Sequence, residues 1–466
     1  MTQVRSAPTD GRVHGDAGAP AAGAVDLGTV TAALAERGVR IVLGTAVDMA
    51  GVTRAKGVPL NRLDAFVHAG MGASPSWNVF CVDFGVAFTP ELGVVGDLRL
   101  RLDPARLTIV DDGVAWAPAG FHQQDGAPFA GCARSRLEHV VARVRAAGIE
   151  PSTGPELEFV LVEPDGSARS GPPWQGYGVR TALDAADFLT DVQAQFADAG
   201  VPIEQLHAEY GANQFEISLA PAEPLLTADR TVLARILIGR AAARHGMSVS
   251  FSPVPFAGGA GNGAHLHLSL SAADGPLLSG GAGPYGLTPA GEAAVAGIVA
   301  GLPQVQAVLA GSVLSPSRLK PGNWAGAFAC WGLENREAAV RLCAATPGNP
   351  HGASVELKCI DGSANPYLAA AALLGLALDG IERELPLPQE VTVDPATLPE
   401  PQRHRLALAA SQTDALDALQ SSPLARSILG ASIIDATLAV RRYEHATYGE
   451  ADPEDVAAVF RLAFSC

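Results

Sequence analysis

Glu156 and Glu158 stand two apart in the segment ELE, and His265 and His267 two apart in HLH. Side chains alternate along a strand, so each pair shares a face while Leu157, Phe159, Leu266 and Leu268 turn to the other. Two carboxylates on one half-buried face repel each other unless a cation lies between them; otherwise they are ordinary acids on a wet strand. Glu356 and Lys358 repeat the spacing in VELKC, and Glu209 and Glu216 bracket a Gly/Asn turn in HAEYGANQFEI that can return both acids to one centre. Together these are five carboxylates with one or two imidazoles, a donor set that suits Mg²⁺ or Mn²⁺ better than structural zinc. Two such ions imply phosphoryl transfer, because metals neutralise phosphate charge and align the displacement. Arg318, Arg336 and Arg341 fall within 24 residues of one another. Guanidinium groups bind phosphate or carboxylate as a fork, although any one of them could be a surface ion pair.

The glycine run FAGGAGNGAH (256–265) resembles a dinucleotide loop, but a strand-like HLHLSL follows it where a helix is required, so it is set aside. Only three of the 32 basic residues are lysines: Lys56, Lys320 and Lys358. A lysine kept in a chain so biased towards arginine merits notice.

The elements that must position these residues can be read from periodicity. RIVLGTAVD (40–48), TRAKGVPL (53–60), NVFCVDFGVAF and DLRLRLDP read as strands of an early α+β unit, closed by a turn-rich join at about 118–128. Leu137, Val140, Val141 and Val144 mark a helix stopped near Gly148. Phe188, Leu189, Val192 and Phe196 mark a second, ending at Gly200, and a third spans about 227–245. Strands are expected at 156–162, 207–219, 264–270, 337–343 and 353–359, and mainly helix after Asn365.

The chain has 466 residues, 48% hydrophobic and 17% charged, enough for two or three domains with a large core. Six scattered cysteines without a CxxC pair fit a reduced cytoplasmic protein. Residues 1–25 read as a disordered tail without a signal pattern. The longest greasy stretch, Tyr367 to Leu378, is too short for a bilayer, so no membrane is expected. With 48 acidic residues and a net charge of −16, and no basic run, nucleic acid is excluded as a partner.

In order and spacing, GPELEF, HAEYGANQFEI, GNGAHLHLSL, SRLKPG, NREAAVRL and VELKCIDGSANPYL resemble the glutamine synthetase superfamily, type I-like, over roughly residues 30–460. The resemblance implies an α+β fold: a small N-terminal β-grasp domain (26–118) and a large catalytic domain (119–466) with a curved antiparallel sheet and helices. It implies a homo-oligomer, a dodecamer of two hexameric rings, with each active site between neighbours. It implies ATP and two or more Mg²⁺ or Mn²⁺ ions, one on Glu158, Glu209 and Glu216 and one on Glu156, His265 and Glu356. His267, Ser269 and Glu204 would lie by ATP, and Gly261 by the glutamate main chain. Arg318 would grip the substrate carboxylate, and Arg336 and Arg341 would stabilise the moving phosphoryl group. Glutamate would be phosphorylated on its γ-carboxylate, and an amine would then displace phosphate.

Departures from the pattern concern the amine and the acid. Ammonia-using members carry a glutamate where this chain has Trp324; Asp83 matches the ammonium-site aspartate, but Val86 stands where a serine is expected. An indole in place of a carboxylate removes charge, adds apolar surface and still attracts an alkylammonium through its π face. This predicts a primary amine larger than ammonia, as in the γ-glutamylpolyamine and γ-glutamylethanolamide synthetases. The alternatives are an ammonia-using enzyme whose Trp324 merely packs the flap, and a silent scaffold or sensor. Ala260 replaces an asparagine and Lys358 an arginine near the acid substrate. The segment 385–401 lacks the tyrosine needed for adenylylation.

Overall fold

The computed structural model describes residues 25–349 and 352–465; the expected tail, Val25 apart, lies outside them. Six strands form the first sheet: β1 (Ile41–Val47), β2 (Thr53–Pro59), β3 (Met71–Ala73), β4 (Leu98–Leu102), β5 (Thr108–Asp111) and β6 (Val114–His122). Their order is β2-β1-β6-β4-β3, with β5 also on β6. β1 and β6 are parallel at the centre and the other pairs antiparallel, a β-grasp sheet with the helix Leu63–His68 against it. The repeat LRLRL in β4 buries all three leucines and leaves the arginines half-buried. Gly44 in β1 makes room for Phe66 of that helix: a Cβ there would lie 2.4 Å from its ring.

Two local expectations fail in this region. NVFCVDFGVAF is no strand; after the short 3₁₀ turn Pro75–Val79 it makes a single bridge, Phe80 to Val86. The Asp83 carboxylate accepts from the Gly85 N–H at 2.9 Å while Phe84 takes φ 67°. This local side-chain bond closes a turn where a ladder would otherwise form. The turn-rich join at 118–128 begins inside β6, whose residues 119–122 pair with β4.

Nine strands form the second sheet: β7 (Glu150–Val162), β8 (Ile203–Ala208), β9 (Gln214–Leu219), β10 (Ser248–Ser250), β11 (Leu266–Ala272), β12 (Gly275–Pro276), β13 (Phe328–Leu333), β14 (Ala338–Cys343) and β15 (Ser354–Leu357). The order is β13-β14-β15-β11-β7-β9-β8, antiparallel except for β13 and β14. β7 pairs with β11 along residues 150–155 and with β9 along 156–160, and this exchange of neighbours curls the sheet. The segment 207–219 is two strands, with Glu209 in their connection.

The three periodic helices are Ala133–Ala146, Ala186–Asp198 and Pro224–Arg244. Behind the sheet lies Pro366–Glu382, capped by the Asn365 side chain and buried from Tyr367 to Leu378. Leu373, Leu374 and Leu376 are fully buried there, each contributing about 2 kcal/mol of apolar transfer. It packs on Ala133–Ala146, Pro224–Arg244 and Pro289–Leu309. Gly297 and Gly380 allow the last of these crossings, because a Cβ on Gly297 would sit 2.6 Å from the Gly380 Cα. Among the described residues Pro289–Leu309 is the one unbroken helix long and apolar enough to cross a membrane, and Tyr367–Leu378 is not such a helix. Most of its apolar stretch, 72%, is covered by the rest of the protein.

Candidate active site

Strand register gathers the polar residues into two rows. Across β8, β9 and β7, His207 pairs with Glu216 and Glu216 with Glu158. Across β14, β15 and β11, Arg341 pairs with Glu356 and Glu356 with His267. Glu156, two residues from Glu158, connects the rows: its carboxylate lies 3.2 Å from His265 Nδ1 and 3.3 Å from His267 Nε2. His265, just before β11 and buried, is the hub. Its Nδ1 is 3.4 Å from Glu356, and its Nε2 is 3.7 Å from Glu158 and 3.3 Å from Arg318 Nη2. Glu209, in the β8–β9 connection, meets His207 Nε2 at 3.1 Å and accepts from the Tyr177 hydroxyl at 2.8 Å and the Tyr210 N–H at 2.7 Å.

Three trios bring ligand atoms within 4.8 Å of one another: Glu156, His267 and Glu356; Glu156, Glu216 and His265; and His207, Glu209 and Glu216. The donor set, carboxylate oxygens with a few imidazole nitrogens, fits hard divalent cations. The electrostatics show the same need. Burial, then Glu156, Glu158 and Glu209, pushes the Glu216 carboxyl up to about 9. Burial also acts on Glu356, but Lys358, His265 and His267 outweigh it and hold that group down at about 2. Glu156 is likewise held low, with the neighbouring His265 and His267 imidazoles overcoming burial, as is Glu209 by His207 and Tyr177. Burial pulls His267 down, but neighbouring Cys343 and the Glu156 and Glu356 carboxylates outweigh it and raise that group to about 10. Without a metal, then, one carboxylate of the cluster keeps its proton at neutral pH. A divalent ion must expel that proton, so its affinity should rise about tenfold per pH unit below about 9 and level off above. Calorimetry in buffers of different ionisation enthalpy should show about one proton released per chain at pH 7; no release would contradict this.

Cations adjoin the same cluster. Arg318 is 5% exposed, and its Nη1 has no hydrogen-bond partner among the described residues. Arg341 reaches Glu356 at 3.0 Å and also pairs with Glu334. Lys358, buried, points its Nζ at Glu356, 3.1 Å away. His267 Nδ1 lies 3.0 Å from the Ser354 hydroxyl, and Ser269 donates to the Ala353 carbonyl at 2.9 Å. Gly263 sits where these groups crowd: its N–H donates to Glu158 at 2.8 Å. A Cβ there would lie 2.5 Å from His265 Nε2, 2.7 Å from Arg318 Nη2 and 3.0 Å from Glu158. Gly263→Ala should therefore displace the hub by a few tenths of an ångström or more and lower kcat about a hundredfold, with the melting temperature within a few degrees of the parent; activity near the parent's would contradict the packing.

Other expected residues stand apart. Glu204 and Arg336 are exposed, and Asp83 accepts from the Tyr443 and Tyr448 hydroxyls at 3.1 and 2.8 Å. None of the three hydrogen-bonds to the cluster among the described residues. Gly261 offers its carbonyl to Gln214 Nε2 at 2.8 Å. Trp324 lies on the segment after Arg318, 56% exposed, with φ 52°. Three participants were not anticipated. His207 had a signal, its spacing of two from Glu209. Gln214, which ties Glu158 to Gly261 and Asn262, and Tyr177 carry none.

The glutamine synthetase catalytic-domain model matches residues 130–457. The gamma-glutamylpolyamine synthetase GlnA3 of Streptomyces coelicolor is 38% identical over 92% of this chain and 95% of its own length. A glutamine synthetase of Pyrococcus abyssi is 31% identical over 82% and 85%. Among solved structures, a novel glutamine synthase homolog superposes with a TM-score of 0.81 at 33% identity, covering 90% of this chain and 97% of that one. GmaS in complex with ADP gives 0.79 at 30%, over 91% and 97%. The chain belongs to the glutamine synthetase family. Within it, the chain is an ATP-dependent ligase that joins glutamate to an amine.

Proposed function

We propose that the amine is a primary amine larger than ammonia, joined to the γ-carboxylate of glutamate through γ-glutamyl phosphate. The observation that carries this is Trp324, an indole on the flap beside the substrate arginine where ammonia users place a carboxylate. Similarity to a protein named a gamma-glutamylpolyamine synthetase supports the same choice. The second reading, ammonia as substrate, is favoured by relatives named glutamine synthetases.

In this reading Arg318 holds the acid through its Nη1, which has no hydrogen-bond partner among the described residues, with Lys358 as a further cation for it, while Gly261 borders the main chain of the acid. His267, Ser269 and Glu204 face the nucleotide. Arg341 and Arg336 carry the charge that develops on the transferring phosphoryl group. Bound Mg²⁺ or Mn²⁺ on the six ligands Glu156, Glu158, Glu209, Glu216, His265 and Glu356 would neutralise phosphate charge. Asp83 would act across a subunit boundary in a dodecamer of two rings, in the cytoplasm. Phosphate release with ATP, glutamate and a panel of ammonia, ethanolamine, monoamines, putrescine and spermine tests the reading. Turnover with an organic amine is expected; turnover with ammonia alone would sink it, and none with any acid–amine pair would favour a silent member.

A further inference from the structure

The flap that carries Trp324 is held by a residue outside the expected site. Glu337 is 7% exposed and directly precedes β14. Its carboxylate faces no lysine or arginine among the ion pairs of the described residues. It accepts instead from two backbone N–H groups of the flap, Trp324 at 2.9 Å and Gly322 at 3.4 Å. Glu337 is itself fixed: its N–H donates to the Asn335 side chain at 3.1 Å. The Asn335 amide in turn donates to the carbonyls of Val391 at 2.8 Å and Val393 at 3.0 Å.

Trp324 needs such a hold. At φ 52° it occupies a region that L-residues with a Cβ disfavour, between Gly322 at 83° and Gly326 at 72°. The residue is 56% exposed, so close packing within the chain does not impose this backbone. A carboxylate accepting from backbone N–H groups makes a stronger bond than a neutral acceptor does, and it offsets the strain.

We infer that Glu337 is a positioning residue that clamps the flap so that Trp324 faces the incoming amine, and thereby sets amine selectivity without touching the amine. The selectivity half rests on the amine reading given above; the clamp itself does not. Hydrogen exchange and kinetics on Glu337→Ala and Glu337→Gln in the full chain test both halves, with circular dichroism to check folding. The Trp324 amide should exchange at least about tenfold faster in Glu337→Ala and by an intermediate factor in Glu337→Gln, which keeps an uncharged acceptor. KM for the preferred amine should rise about tenfold in Glu337→Ala, with KM for ATP unchanged and part of the loss restored in Glu337→Gln. Unaltered exchange at Trp324 would overturn the clamp. Faster exchange with an unchanged KM for the amine would overturn the selectivity role. A parent enzyme active with ammonia alone would overturn the amine reading and the selectivity role with it, while the exchange result would still uphold or overturn the clamp.

Discussion

Arg341→Ala is expected to lower kcat by about a thousandfold, within the range that an arginine contributes when it stabilises a phosphoryl-transfer transition state. β14 sets Arg341 opposite Glu356, where Nη1 bonds that carboxylate at 3.0 Å. Burial, Cys343, Glu356 and Glu334 all act on the guanidinium, and the three partners prevail and keep it firmly charged. Removing it does not strand Glu356, because Lys358 Nζ remains 3.1 Å away. The fold should therefore survive and the loss should appear in kcat, with a modest change in KM for ATP. Arg341→Lys should recover only a small part, since an ammonium lacks the planar fork. Steady-state kinetics with saturating ATP decide it: a loss of tenfold or less in Arg341→Ala would make Arg341 merely an ion-pair partner of Glu356.

The second large effect concerns selectivity. Trp324→Glu should shift the ratio of kcat/KM for ammonia over that for the preferred organic amine by about a hundredfold towards ammonia. The substitution exchanges apolar and cation–π attraction, about 2 kcal/mol when desolvated, for a full charge suited to a small cation. The main-chain bond from residue 324 to Glu337 is retained in principle, and glutamate is strained at φ 52° much as tryptophan is, so the backbone need not change. Trp324→Ala separates the two contributions: it should lose organic-amine turnover without gaining ammonia turnover. Equal ratios in the parent and Trp324→Glu would mean that the indole only packs the flap.

Part of this arrangement was legible because it is local. The spacing of two in Glu156 and Glu158, in His265 and His267, and in Glu356 and Lys358 announces shared faces wherever the strands lie. The periodicity of Val140, Val141 and Val144 fixed a helix, and Gly148, at φ 79°, marked its end. Register between strands far apart in sequence has no local signature. That Glu158 faces Glu216, or that Glu356 stands between Arg341 and His267, follows from pairings of β7 with β9 and of β15 with β14 and β11. His265 shares its spacing with His267 but lies outside β11, so its place as hub comes from bonds to β7 such as Glu156 N–H to its carbonyl at 2.9 Å. Lys358, weighed as a substrate contact, is turned to Glu356 by burial beside that carboxylate. The misread strand at 78–88 shows the limit from the other side, since an aspartate that bonds the N–H two residues on forms a turn despite β-prone neighbours.

The most direct test is a crystal structure with Mn²⁺ and a non-hydrolysable ATP analogue, read by manganese anomalous scattering. Two separate peaks are predicted, one within ligand distance of Glu158, Glu209 and Glu216 and the other of Glu156, His265 and Glu356, with the analogue's phosphates beside the second. Saturating Mn²⁺ with no anomalous peak among these six side chains would contradict a metal-centred ligase.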